Sequence, residues 1–447
     1  MSNWPWPDPR RRGWCSFCRQ SFFFSVMKLV NPEEAVAAIP DHSIAIMPGG
    51  CAQASALYRI LRDDVERFKN LTLCSGFSFA PYTYLERGLG THIRYLTWQA
   101  SGRLRTLFEE SDPAKIGFVP IRLADVHRVV SAQGEIKPHT VVVQTSPPQP
   151  DGQVSLGISV GPNLDFIRSA KLVIAEFNTN MPVTRGDSRV ALEAIDLAYE
   201  SDEPLYEYAP APKRLSDAQI VDNVMSLMPD GAWVQLGVGS VPDQIMERLS
   251  DVRGINLFSG LLTGGLQKLI ESAPSRLQVI VGELAGTQAF YDFCGDCPAI
   301  EMAPTSITHN VAHVAALPRF VSINSALEID LHGQSNGEAI AGVQISGVGG
   351  SLDYIEAANL SVGGISIIAM AATTSDGKRS KIVPHFAAGA VVTTPRYCTD
   401  YVVTEFGSAR LRGKDLFQRA EALIAIAHPD FREQLAAALP LATNVCV

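Results

Sequence analysis

A chain of 447 residues with 46% hydrophobic content can bury two or three cores, and a formal net charge of −9 supplies no basic footprint for nucleic acid or an anionic membrane surface. No apolar run reaches the roughly 18 residues of a membrane-spanning helix. Eight cysteines spread over this length make no disulfide framework, so a cytoplasmic protein acting on a small molecule is expected.

Residues 1–26 read as a tail: arginines precede a short aromatic run that Cys18, Arg19 and Gln20 interrupt, and no small-residue cleavage site follows. From residue 27 the pattern is that of an α/β protein. SIAIMPGGCAQASALYRIL reads as a strand, a glycine turn at Gly49-Gly50 and a helix, and LTLCSGFSFAPY gives a second strand ending at Ser75-Gly76. Cys74 on that strand reads as a small buried hydrophobe. After YEYAPAPKRLSD, whose prolines and charges mark a boundary near residue 210, the same order returns. WVQLGVGSVPDQIMERL gives strand, Gly237-Val238-Gly239 turn and helix, and INLFSGLLTGGLQKL gives a strand ending at Ser259-Gly260. Two elements recurring in the same order at nearly equal offsets predict two related domains, 27–210 and 211–447, with mainly parallel strands and a ligand between them beyond the strand ends.

The glycine turns at 237–239 and at Gly347-Val348-Gly349-Gly350 offer bare backbone N–H groups to an anion or a developing oxyanion. Neither a dinucleotide fingerprint nor a phosphate-loop lysine accompanies any of them, and no G-x-S-x-G elbow anchors a serine hydrolase. Glu283, in QVIVGELAGTQAFYDF, follows an apolar strand expected to stop at Val281-Gly282; a crossover from the Ser259-Gly260 strand would set the two ends side by side, leaving a carboxylate able to act as nucleophile or base, or simply as a solvated or capping acid. Cys15-x-x-Cys18 and Cys294-x-x-Cys297 have zinc-pair spacing but lie far apart, and His309-Asn-Val-Ala-His313 has no glutamate beside its first histidine, so no metal is expected and the histidines read as a polar connection.

From residue 321 longer words become specific. VSINSALEIDLHGQSNGE, QISGVGGSLDYIEAA and GGISIIAMAATTSDGKRSKIVPHF, with VVVQTSPPQPDGQVSLGISV and KLVIAEFNTNMPVTRGDS earlier, resemble the acetyl-CoA hydrolase/transferase family, which includes 4-hydroxybutyrate, butyryl and acetate CoA-transferases. The resemblance runs from Lys28 to Leu435. It implies two open α/β domains of the NagB/RpiA/CoA-transferase type with the active site between them, no bound cofactor, a coenzyme A thioester as substrate, a small carboxylic acid as acceptor, and a homodimer or higher homo-oligomer. It also implies a ping-pong reaction through a glutamate on the strand matched by residues 255–259, where this chain carries Gly260. Glycine cannot form an acyl anhydride, so the covalent step passes to Glu283, or to water or another acceptor in a hydrolase or acyltransferase, or the protein binds acyl-CoA without turnover. On this resemblance Gly237, Val238, Gly239 and Gly347 to Gly350 hold the thioester oxygen. By their places at strand ends Met47, Phe77 and Ser259 would line the acyl pocket, with Met47 and Phe77 otherwise core residues, and Arg94, Arg103 or Arg105 would pair the carboxylate of a dicarboxylic substrate or else be ordinary surface arginines. Asn324, Glu328, Asp330 and Asn336 are read as structural.

Overall fold

Two eight-stranded sheets organise the chain, whose computed structural model describes residues 27–100, 104–110, 115–272 and 277–439. The expected tail 1–26, with Cys15 and Cys18, lies outside the described residues, as does Arg103. In the first sheet the strands are β1 (Lys28–Leu29), β2 (Ile44–Ile46), β3 (Leu71–Ser75), β4 (Ile93–Thr97), β5 (Ile116–Phe118), β6 (Thr140–Thr145), β7 (Leu172–Asn178) and β8 (Leu197–Ser201). The second holds β9 (Trp233–Leu236), β10 (Asn256–Thr263), β11 (Val279–Ala285), β12 (Ile300–Met302), β13 (Phe320–Asn324), β14 (Ile365–Ala369), β15 (Tyr401–Thr404) and β16 (Gly407–Arg410).

From one edge the first sheet runs β5-β4-β3-β2-β6-β7-β8-β1, and the second runs β12-β11-β10-β9-β13-β14-β15-β16. The arrangement is the same in both: one central strand, three successive strands outward on one side, and the later strands on the other. They differ at one edge, where β1 is parallel to β8 but β16 is antiparallel to β15. Central strands such as β6, TVVVQT, are buried along their whole length, as expected where helices cover both faces of a parallel sheet. The helix after β2, Ser55–Asp63, buries Leu57, Tyr58 and Leu61, and the helix after β9, Ser240–Arg248, buries Ile245 and Met246. Gly239 caps that second helix at φ +137°, a conformation that L side chains rarely adopt.

Two expected strand ends are displaced. β10 does not stop at Ser259-Gly260 but runs to Thr263, and β11 does not stop at Val281-Gly282 but runs to Ala285. The two strands keep pairing in parallel register, Leu261 with Glu283, Leu262 with Leu284 and Thr263 with Ala285. Glycine ends a strand only where pairing stops altogether, and here β10 and β11 go on pairing with each other after β9 and β12 have left them. Gly260 and Glu283 are therefore interior strand positions, held more rigidly than loop residues.

The two halves are stitched together along the strand ends. Val160 and Gly161 donate their N–H groups to the Gly282 carbonyl (3.1 and 2.9 Å), and Leu284 donates to Ile158 (2.9 Å). On the far side, Arg122 pairs with the buried Asp353 and with Glu356 (2.7 Å each), Leu123 N–H donates to the Gly349 carbonyl (3.0 Å), and Gln99 donates to Ser346 (2.9 Å). Burial pushes the Asp353 carboxyl up to about 6 while Arg122 opposes it.

Candidate active site

A cavity of about 430 Å³ opens between the halves, beyond the carboxyl ends of β2, β3, β4, β9 and β13. This is where an open α/β sheet leaves its loops and helix starts free to hold a ligand. Met47, Phe77, Gly237, Val238, Ser259, Gly260, Glu283 and Gly347 to Gly350 all line it, so residues more than 300 positions apart converge; Gly239 lies behind the lining, at the helix start. Arg94 and Arg105 are exposed and outside the lining, and Arg105 donates to the Ile345 carbonyl instead (2.8 Å), which leaves neither to pair a substrate carboxylate. Asn324 lines the cavity and exchanges amide hydrogen bonds with Gln235. Glu328, Asp330 and Asn336 hold the adjoining loop: Asn336 donates to Glu328 (3.0 Å), and Asp330 accepts from Gln334 N–H (2.9 Å).

Glu283 is the ionisable carboxylate of this lining. Its side chain enters a slot whose walls are glycine. A Cβ on Gly50 would stand 3.0 Å from its Oε2, and one on Gly161 would collide with its Oε1. Gly50 also has φ +61°, so both its conformation and its contact exclude a side chain. No hydrogen bond satisfies Glu283 Oε2, and burial pushes the carboxyl up to about 8, with the Ser159 hydroxyl offsetting part of that rise.

The glycine loops differ in what they can donate. Gly237 N–H is already committed to the Ile323 carbonyl (3.1 Å), and Gly50 N–H to Phe77 (2.7 Å). At Gly347 a Cβ would collide with the Trp98 carbonyl, so this loop approaches the first sheet at backbone distance. Cys74 is a buried free thiol pushed up to about 12 by burial, consistent with a packing role. Among the described residues no cluster of three or more histidine, cysteine or acidic side chains could hold a metal.

Sequence reasoning missed Ser159, Gly161 and His309. Gly161 and Ser159 come from the first half and meet Glu283 only through folding; their signal was the pair of glycines, Gly157 and Gly161, in SLGISVGPN. His309 is no polar connection: it is 4% exposed, lines the cavity, and carries no charge because burial drives its imidazole down to about 3.

Residues 24–207 match the acetyl-CoA hydrolase/transferase N-terminal domain and residues 286–439 match the C-terminal domain of the same family. The 4-hydroxybutyrate coenzyme A transferase of Clostridium kluyveri is 35% identical over 91% of this chain and 96% of its own length. RipA from Yersinia pestis superposes with a TM-score of 0.86 at 31% identity, covering 92% of this chain and 96% of that one. A 4-hydroxybutyrate CoA-transferase from Porphyromonas gingivalis does so at 0.77 and 28%, covering 93% and 97%. Gly260 and Glu283 fall between the two matched segments. With both domains matched and the fold shared along nearly its whole length, the chain is a member of the acetyl-CoA hydrolase/transferase family, a CoA-transferase or acyl-CoA hydrolase by kind.

Proposed function

We propose that this protein is a CoA-transferase that moves coenzyme A from a short-chain acyl-CoA to a small carboxylic acid, with Glu283 as the nucleophile. The observation that carries the reading is the placement of Glu283: a buried carboxylate with one oxygen unpaired, in a glycine-walled slot that opens on the cavity, one strand away from a position 260 that has no side chain. The described lining at Met47, Phe77, Trp98, Leu123 and Phe166 suits a short apolar acyl chain.

The steps balance without a cofactor. The Glu283 carboxylate attacks the thioester carbonyl, the C–S bond breaks, and the thiolate of coenzyme A leaves an acyl-glutamyl anhydride. That thiolate attacks the glutamyl carbonyl, releasing the first acid and forming a glutamyl-CoA thioester. The acceptor carboxylate then attacks the same carbonyl to give a new anhydride, and the thiolate returns to the acceptor's acyl carbon, which frees Glu283. Each tetrahedral intermediate needs donors for its oxyanion. With Gly237 N–H already used and Gly239 outside the lining, Val238 and the Gly349-Gly350 backbone are the groups we assign to that task. The raised pKa of Glu283 makes the attacking carboxylate the minor form at neutral pH and also a stronger nucleophile once ionised.

Acceptor dependence tests this reading. Exchange of coenzyme A from butyryl-CoA to acetate, read as acetyl-CoA formed, should require acetate and be lost in Glu283→Gln. Release of free coenzyme A at equal rates with and without acetate would instead make the protein a hydrolase, with Glu283 activating water.

A further inference from the structure

Position 260 lacks a side chain, yet its space is not empty. A Cβ on Gly260 would stand 2.6 Å from Cε1 and 2.7 Å from Nε2 of His309, and a Cβ on Gly350 would collide with the same ring. The imidazole therefore lies across both glycines, at the point where β10 and the 347–350 loop meet. Tyr354 backs it with ring centroids 4.9 Å apart, and Phe320 stacks behind Tyr354.

The ring's hydrogen bond with the Thr308 hydroxyl admits a tautomer in which Nε2 is bare. The Thr308 hydroxyl lies 3.3 Å from the Pro304 carbonyl, a group that can only accept, and 3.0 Å from His309 Nδ1. If its proton goes to Pro304, its oxygen accepts from Nδ1–H, and Nε2 keeps its lone pair. No other hydrogen bond engages the ring among the described residues, and the residue lines the cavity.

We propose that His309 is a specificity-determining residue of this cavity: its imidazole takes the space a side chain at 260 would need, and its bare Nε2 accepts a hydrogen bond from a hydroxyl on the acyl chain. This rests on the acyl-CoA reading above and adds the substrate class. A carboxylate is the wrong partner, because two lone pairs would face each other. A role as proton-abstracting base is also disfavoured, since burial keeps the ring neutral far below physiological pH. A hydroxyl fits because it can donate to the bare Nε2, and a site built around such a bond rejects analogues that lack the partner.

Two measurements test the proposal, and neither needs turnover, so a failure of the nucleophile assignment is distinguishable from a failure here. The first is isothermal titration of butyryl-CoA against 3- and 4-hydroxybutyryl-CoA on Glu283→Gln, which cannot form the adduct, and on Glu283→Gln with His309→Phe, which keeps the ring against Tyr354 but removes the acceptor. The protein with His309 should prefer at least one hydroxylated ligand by about tenfold or more, and the His309→Phe variant should lose that preference. Equal affinities with His309 in place, or a preference that survives in His309→Phe, would overturn it. The second is thermal unfolding of Gly260→Ala with and without His309→Ala. The single substitution should lower Tm by several degrees and the double background should relieve most of that loss; equal losses in both backgrounds would show that the ring does not own the space.

Discussion

Strands β10 and β11 lie side by side in the same sheet, parallel and in register, yet they present opposite solutions to the cavity. On β10, Gly260 carries nothing and a histidine from another segment covers it; on β11, Glu283 projects into space that Gly50 and Gly161 leave free. The comparison teaches that a reactive side chain is placed as much by the glycines facing it as by its own strand. The bare backbone at 260 and the carboxylate at 283 each depend on packing partners far away in sequence.

The largest way to break the comparison is to remove the carboxylate. Glu283→Gln keeps the shape of the side chain and should reduce transferase turnover by about 10³-fold or more, and Gly260→Glu added to it should not restore activity while His309 occupies the space. Recovery in that double variant, measured by exchange of butyryl-CoA with acetate, would mean the two strand positions are interchangeable. Crowding the slot comes next. Gly161→Ala sets a methyl group against Glu283 Oε1, and displacement of a nucleophile by an ångström should cost about 10²-fold in kcat/KM, with little change when the same substitution is made at Gly264, where the backbone is not left-handed and the nearest atom to a Cβ is 4.0 Å away.

Acidity sharpens the comparison further. Because Glu283 titrates near 8, kcat/KM should rise about tenfold per pH unit below that value and level off above it, provided the substrates do not titrate in the same range. A flat profile from pH 6 to 9 would contradict an ionising Glu283. The same shift has a stability consequence. The folded-state pKa is raised above the ordinary 4.5, so the contribution of the protonated carboxyl is complete below about 4.5 and is lost as pH rises through about 8. Denaturant titrations should therefore show Glu283→Gln gaining on the wild type by roughly 2–5 kcal/mol between pH 5 and pH 9, an order-of-magnitude figure from the size of the shift. No divergence across that range would place Glu283 in contact with water.

Much of this architecture was legible in the sequence, for a physical reason. The Gly49-Gly50 and Gly237-Val238-Gly239 turns, followed by strands carrying Ser75-Gly76 and Ser259-Gly260, fall at matching places in two sheets of the same strand order, because strand, turn and helix are local and repeat when a domain is duplicated. The convergence of Met47, Phe77, Ser259 and the 347–350 loop on one cavity followed from the rule that such folds bind ligands at strand ends. The strand ends themselves were not legible: Gly260 and Gly282 read as terminators, while pairing between neighbours carries both strands onward. His309, Ser159 and Gly161 were invisible for a different reason. Their roles depend on long-range contacts with Gly260, Gly350 and Glu283, and no periodicity or spacing records a contact across the domain interface.

The central claim, that the reactive carboxyl has its seat on β11, is tested most directly by trapping. The purified protein is incubated with butyryl-CoA without acceptor, treated with borohydride or left untreated, digested, and mapped by mass spectrometry. The account predicts a coenzyme A thioester on the peptide containing Glu283, converted by borohydride to the corresponding alcohol and absent from Glu283→Gln. An adduct on any other residue, or steady release of free coenzyme A with Glu283 unmodified throughout, would contradict it.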